Sequence, residues 1–183
     1  MPAAIDTLME EHRLFERLFG AFDAWTDSIG SRDEAANRES LAYFVSFVRG
    51  FADRIHHGKE EDIVFVTLAE QGFPTEDGPI AMMLYEHAQG REMLSAIEAI
   101  ATLDRVWSSD DRETLVELVE QLDELLRQHI RKEEEILFRM AAERVPPNVM
   151  DQITARCDER DRASDEERSR LEALAEKLIA TYA

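Results

Sequence analysis

Two stretches of the chain repeat one spacing of residue types that can bind a metal. Residues 56–65 read HHGKEEDIVF and residues 129–138 read HIRKEEEILF. Aligned without a gap, they agree at His, Lys, both Glu, Ile and Phe. A histidine and a glutamate four residues apart lie one turn apart on the same helix face, so both side chains can reach one ion. The repetition predicts a two-metal site whose ligands include His56, Glu60, His129 and Glu133.

Two further histidines complete this pattern. Glu11-His12 precedes the first stretch and Glu86-His87 precedes the second, at similar distances along the chain. A single histidine on an apolar helix face is more often a hydrogen-bonded core residue than a ligand. Here, however, four histidines and two glutamates fall on the apolar faces of four predicted helices. Burying them unpaired would cost several kcal/mol, and metal cations would offset that cost, so we add His12 and His87 to the predicted ligands.

The residues beside these ligands receive weaker predictions. His57 follows His56 at about 100° around an α-helix, so we expect it on the surface or in contact with a ligand rather than with the metal. Arg91 lies one turn beyond His87 and is expected either to bond a carboxylate or bound anion or to be exposed. The other acids of the two stretches are expected to be solvated: Glu61, Asp62, Glu134 and Glu135.

The predicted donor set favours particular metals. Imidazole and carboxylate ligands without a thiolate, inside a bundle where carboxylates can bridge, favour two iron ions or two manganese ions over a closed structural zinc site. Six protein ligands shared by two ions leave coordination positions open. The expected partner is therefore a small molecule such as O2, NO, peroxide or water.

Helical periodicity predicts the elements that position these residues. Apolar residues at spacings of three and four indicate helices over residues 4–28, 34–71, 79–102 and 108–144. Short links between them predict an all-α, antiparallel up-and-down four-helix bundle as domain 1–145. Two more amphipathic helices, at about 148–160 and 164–181, form the predicted extension 146–183, which would pack on the bundle or mediate binding to a second copy or another protein. The apolar wall of the site is predicted to contain Phe15, Phe19, Phe51 and Leu126.

Composition excludes several functional classes. The 183 residues include 40 acids and 21 bases, for a net charge of -19, which argues against nucleic-acid binding. Cys157 is the only cysteine, so no internal disulfide can form. No apolar run approaches the roughly 18 residues of a membrane span, and no basic segment followed by an apolar run opens the sequence. We therefore expect a cytoplasmic protein that does not bind membranes.

Over residues 4–142 the sequence resembles the hemerythrin-like family, whose members carry the HHE cation-binding domain. The resemblance rests on Glu11-His12, His56-x-x-x-Glu60, Glu86-His87 and His129-x-x-x-Glu133, which occur in the family's order. It implies a bundle holding a non-haem di-iron centre, with Glu60 and Glu133 as bridging carboxylates and the four histidines as terminal ligands. Met83 and Arg91 flank His87, where the oxygen carriers have a second histidine one turn away, so the pattern is more similar to the bacterial four-His, two-Glu type.

These observations lead to one main functional hypothesis and two alternatives. The main hypothesis is a di-iron protein that binds or senses O2 or a related small oxidant or nitrogen oxide. The first alternative is a di-iron enzyme that acts on peroxide or NO at the same centre. The second is an iron-storage or regulatory module whose C-terminal helices contact another protein.

Overall fold

The computed structural model describes residues 2–182, which form six helices and no strand. The first four pack as a helical bundle, which confirms the predicted all-α fold class. The helices, numbered along the chain, are α1 (Ala3–Ser28), α2 (34–70), α3 (Gly78–Ala101), α4 (109–144), α5 (Pro147–Ala163) and α6 (Asp165–Tyr182). In these described residues, no helix combines the length and the hydropathy that a membrane crossing requires.

Short polar segments begin and end these helices. The Asp33 side chain accepts hydrogen bonds from the backbone N–H groups of Ala35 and Ala36 at the start of α2. Ser108 and Asp111 form a reciprocal capping box at the start of α4. These caps satisfy backbone donors that have no partner within the helix. The helices therefore begin close to the positions predicted from the sequence.

Helices α2 and α4 differ from the regular α-helices that the sequence predicted. In α2 the turns widen to π-helical hydrogen bonding over Val48–His57 and again over Glu60–Val64. In α4 they widen only over Glu133–Leu137. A wider turn contains more residues, so consecutive side chains are separated by a smaller angle around the axis. Such segments occur frequently at functional sites, and here all three adjoin the repeated stretches.

The predicted ligands lie between two apolar clusters of the bundle. One cluster contains Trp25, Phe44 and Leu115. The other contains Leu68 and Phe138. In α1 to α3 the histidines fall between the residues that enter these two clusters, and in α4 His129 directly precedes Ile130, the last residue of that helix in the first cluster. The polar site is thus enclosed above and below by packed apolar side chains.

The C-terminal helices share the core of the bundle. Leu171 of α6 joins the first apolar cluster, and Ile153 of α5 joins the second. Two glycines of α2 lie where these helices approach closely. A Cβ atom at Gly50 would lie 2.8 Å from Cδ1 of Leu171, and one at Gly58 would lie 2.5 Å from Nη2 of Arg160. Residues 147–182 therefore cover one side of α2 and α1.

Candidate metal centre

Four histidine side chains meet in the middle of the bundle as two pairs. Nε2 of His12 lies 3.1 Å from Nε2 of His56, and Nε2 of His87 lies 3.0 Å from Nε2 of His129. Their ring centroids are 4.8 and 4.7 Å apart. All four side chains are buried. Nitrogens bound at a right angle about 2 Å from one ion lie about 3 Å apart, so each pair has the spacing of neighbouring ligands.

Two glutamates lie between the histidine pairs. Glu60 is 3.4 Å from Nε2 of His56 and 3.6 Å from Nε2 of His87. Glu133 is 3.3 Å from Nε2 of His12 and 3.4 Å from Nε2 of His129. Helices α1 and α2 form a first helical hairpin, and α3 and α4 form a second. Each carboxylate thus faces one histidine from each hairpin, as a bridging ligand would.

Neither glutamate has another way to satisfy its oxygens. Both side chains are fully buried, and all four carboxylate oxygens of Glu60 and Glu133 lack a hydrogen-bond partner. Leaving a buried carboxylate unpaired costs several kcal/mol. These orphaned oxygens, with imidazole nitrogens on both sides, fit metal cations. Two groups of possible donors share Glu60: His12, His56, Glu60 and Glu133, and His57, Glu60, His87 and His129.

A second layer of carboxylates fixes the imidazole orientations. In each of these four histidines, Nδ1 forms a hydrogen bond with a glutamate carboxylate, and Nε2 is directed toward the centre. The pairs are His56 with Glu11 at 2.7 Å, His129 with Glu86 at 3.1 Å, His12 with Glu134 at 3.0 Å and His87 with Glu61 at 2.7 Å. Carboxylates that accept from the outer nitrogen of a metal-binding imidazole set its tautomer and increase its basicity.

This layer corrects two predictions. Glu61 and Glu134 were expected to be solvated, but both reach a histidine of the opposite hairpin. Helix α2 supplies Glu61 to the histidine of α3, and α4 supplies Glu134 to the histidine of α1. Their position immediately after the predicted bridging glutamates turns them toward the neighbouring helix. Asp62 and Glu135 are exposed, as expected.

Basic residues pair with the outer carboxylates. Lys59 contacts Glu11 at 2.5 Å, and Lys132 contacts Glu86. The two lysines occupy the same position in the repeated stretches. The repeat thus contained a sign of this pairing, although no role was predicted for the lysines from the sequence. Arg91 donates to Glu61 at 2.8 Å and to Asp53 at 2.6 Å. It therefore makes the carboxylate contact that was one of its two sequence interpretations.

His57 is buried, so of its two sequence interpretations, a surface residue or a residue in contact with a ligand, the structure excludes the first and shows contact with His87. Its exposed fraction is 7%, and its ring stacks on that of His87 with centroids 3.7 Å apart. The physical reason is the widened helix at Val48–His57, which brings two consecutive histidines onto the inner side of α2. Burial, reinforced by the nearby charge of His87, holds the pKa of His57 well below its usual value.

Without a bound metal, His56 is protonated and Glu60 is ionised. Burial alone would lower the pKa of His56, but the carboxylates of Glu60 and Glu11 raise it to about 10. Burial would raise the pKa of Glu60, yet the positive charge of His56, 3.4 Å away, reverses the effect and lowers it. Glu60 is therefore ionised. Binding of a metal at His56 must displace a proton, which links uptake to pH.

A small apolar cavity adjoins the histidines. Its volume of about 10 Å³ is close to the minimum that holds one water molecule. Phe15, Phe19 and Leu126 line it, as predicted for the apolar wall, together with Ile130. Phe51 does not line the cavity, because it packs behind Phe15 with ring centroids 5.8 Å apart. The cavity therefore suits a very small ligand.

Comparison with protein families gives one result. The model described as Hemerythrin HHE cation binding domain matches residues 3–141, and a second match covers residues 96–183. No curated protein and no solved structure matches the chain. The first match spans most of the chain and includes every histidine as well as Glu60 and Glu133. Together with the donor groups, it indicates a domain that binds metal cations. The chain therefore belongs to the hemerythrin HHE cation-binding family.

Proposed function

We propose that this protein is a non-haem di-iron protein that binds or senses O2 or a related small oxidant or nitrogen oxide. The observation that carries the proposal is that Glu60 and Glu133 are buried without hydrogen bonds, each between histidines of both hairpins and beside a small apolar cavity. The proposed ligands are those that the sequence suggested: His12, His56, Glu60, His87, His129 and Glu133.

Donor chemistry supports iron or manganese over zinc. Histidine nitrogens mixed with carboxylate oxygens suit iron and manganese, whereas structural zinc sites are usually closed tetrahedra that often include cysteine. The single cysteine, Cys157, lies in the apolar cluster with Ile153 and is outside both donor groups. A centre that accommodates two bridging carboxylates inside a helical bundle is typical of di-iron and di-manganese proteins.

The protein's own residues would orient the ligands and limit access of water. Glu11, Glu61, Glu86 and Glu134 hold the imidazoles by Nδ1, so that Nε2 faces inward. Phe15 and Phe19 form an apolar wall that restricts the entry of water and protons. Two bound iron ions would supply exchangeable electrons and open coordination positions for the small molecule. The cavity barely holds one water molecule, so it would exclude larger substrates from this side of the centre.

Elemental analysis of the purified protein, joined to its ultraviolet–visible spectrum with and without air, tests the proposal. We expect two iron ions per chain after anaerobic loading with ferrous iron, and an absorption change when air is admitted. Manganese or zinc loading serves as the control, because neither should give the same air-dependent spectrum. A chain that binds no iron under these conditions would contradict the proposal.

The same cavity supports one alternative, an enzyme that consumes peroxide or NO. The two functions differ in turnover. A loaded sample that forms a stable air-dependent species without consuming peroxide or NO supports binding or sensing. Catalytic consumption of either molecule, lost in a His56→Ala variant, supports the enzyme.

An iron-storage or regulatory role through the C-terminal helices is the third candidate. It is supported by Arg168 of α6, which reaches Glu11 behind the ligand His56. This role predicts a partner protein or a second copy on α5 and α6. Size-exclusion chromatography with light scattering tests the second copy, and a monomer at all concentrations counts against it. A cytoplasmic location remains a sequence prediction.

A further inference from the structure

The two hairpins present different residues next to their repeated histidines. In α2 the next residue is His57, whereas in α4 it is Ile130. Both are buried, at 7% and 5% exposure. The helix around His57 is π-helical, whereas Ser109–Lys132, which contains Ile130, is α-helical. Thus the widened turn occurs where two adjacent side chains must both face the centre.

Although His57 belongs to the first hairpin, it lies close to the two histidines of the second hairpin. One of its nitrogens lies within 4.8 Å of donor atoms of Glu60, His87 and His129. Donors about 2 Å from a common ion lie within about 4 Å of one another. A contraction of less than about 1 Å would therefore bring all four onto one ion. His12 and His56 are absent from this group and form the other group with the two glutamates.

His57 also lacks the hydrogen bond that its neighbours have. Its Nδ1 is buried without a partner, and the closest carboxylate, Asp53, is 3.9 Å away. Asp53 stands one turn before His57 and is held by Arg91 at 2.6 Å. It is therefore positioned to orient the His57 ring after a shift of about 1 Å, as glutamates orient the other four histidines. A buried polar nitrogen that no protein group satisfies calls for a partner.

We infer that His57 is a third histidine ligand for the ion held by His87 and His129, while the ion held by His12 and His56 has only two histidines. This inference rests on the proposed two-metal centre. Its consequence is that the two ions are chemically different. Ile130 occupies the position in α4 that His57 occupies in α2, as the second residue of the repeated stretch. It therefore stands where the two-histidine ion would otherwise have a third histidine. Ile130 also lines the apolar cavity, so the open position for a small ligand is on that side.

The test uses the full chain loaded anaerobically with ⁵⁷Fe(II) and compares His57→Ala with Ile130→Ala. Both variants shorten a buried side chain at equivalent positions, but only the first removes a donor. Mössbauer spectra of the wild type should show two distinct iron environments in equal amounts. His57→Ala should alter one of them and weaken the binding of one ion about tenfold or more. Ile130→Ala should retain both environments and both affinities.

Imidazole provides a readout that a packing defect would not move. Added to His57→Ala, it should enter the space left by the side chain and restore the altered iron signal, but it should leave Ile130→Ala unchanged. His57→Gln, which conserves volume better, serves if His57→Ala does not fold. Equal metal loss in His57→Ala and Ile130→Ala, wild-type affinities in His57→Ala, or no response to imidazole would overturn the inference. Failure of the wild type itself to bind two ions would instead contradict the proposed function.

Discussion

Glu11 and Glu86 occupy equivalent positions in the two hairpins, but their surroundings differ. Each accepts a hydrogen bond from Nδ1 of a histidine and contacts a lysine. Around Glu11 the lysine is Lys59, whose side chain is 1% exposed. Around Glu86 it is Lys132, whose side chain is 36% exposed. The same motif is therefore buried in one hairpin and near solvent in the other.

The C-terminal helices create this difference. Arg168 of α6 donates to Glu11 and lies 3.2 Å from Asp161 of α5, which in turn contacts Lys59 at 2.9 Å. Four charged side chains thus form a closed network behind His56. Among the residues that the structure describes, Glu86 is instead bonded by His129 and Lys132, both of α4. Helices α5 and α6 therefore shield one half of the site from solvent.

The largest effect is expected where the two hairpins should behave alike. His56→Ala and His129→Ala each remove one proposed ligand, and Glu133→Ala removes a proposed bridging carboxylate. If the centre holds two iron ions, all three variants should bind less iron and lose the air-dependent absorption. Metal analysis and absorption spectra provide the measurement. Glu135→Ala, next to the same ligands but exposed, should keep both ions. If only one hairpin is sensitive, the two halves are not equivalent in metal binding.

This expectation could be formulated from the sequence because the repeat encodes it. The spacing of His56 with Glu60 and of His129 with Glu133 is preserved on any helix, and the apolar periodicity predicted the bundle. The fold class and the helix order were therefore accessible. The position of His57 was not, because a π-helical turn results from packing that the local sequence does not specify.

The outer carboxylates show a second limit of sequence analysis. Glu61 and Glu134 stand beside the buried glutamates in an acidic run, and such runs are usually solvated. Whether one of them turns inward depends on the angle between helices of opposite hairpins. The asymmetry at Lys59 is equally hidden, because it arises from Asp161 and Arg168, about 100 residues away in the sequence.

Replacing the equivalent lysines tests the buried network directly. Lys59→Ala leaves buried charges short of a partner and should lower the free energy of unfolding by about 3 kcal/mol. Lys132→Ala breaks a pair that is open to solvent and should cost about 1 kcal/mol or less. Urea unfolding of the metal-free variants gives both values. Equal losses would show that the C-terminal helices do not seal the first half of the site.

Acid unfolding should separate the two glutamates. Burial opposes ionisation of Glu11, but the hydrogen bond from His56 and the charges of His56, Lys59 and Arg168 lower its pKa from 4.5 to about 2. A carboxyl group with a lowered pKa stabilises the fold above its unfolded-state pKa, and this contribution disappears as the pH falls through the folded-state value. Wild-type stability should therefore fall between pH 4.5 and pH 2.

Glutamine variants turn this pH window into a comparison. Glu11→Gln should remove up to about 1.4 kcal/mol per pH unit from the slope of unfolding free energy between pH 4.5 and pH 2. The pKa of Glu86 is also lowered, against the effect of burial, by hydrogen bonds from His129 and Lys132, so Glu86→Gln should change the slope in the same direction. We expect a smaller change because solvent screens its lysine. A larger change in Glu86→Gln would reverse the assignment of the protected half.

The smallest effects should come from two helical glycines, one in each hairpin. A Cβ atom at Gly50 would lie 2.8 Å from Leu171 of α6, whereas one at Gly90 would meet nothing closer than 3.9 Å. Gly90→Ala should stabilise the protein by about 0.5–1 kcal/mol, because alanine favours helix more than glycine does. Gly50→Ala gains the same helix preference but overpacks a contact with a fully buried side chain, at a cost of about 1–3 kcal/mol. Gly50→Ala should therefore be neutral to destabilising in urea unfolding. Stabilisation of both variants by the same amount would mean that α6 shifts without cost, and that its packing over the first half of the site is not tight.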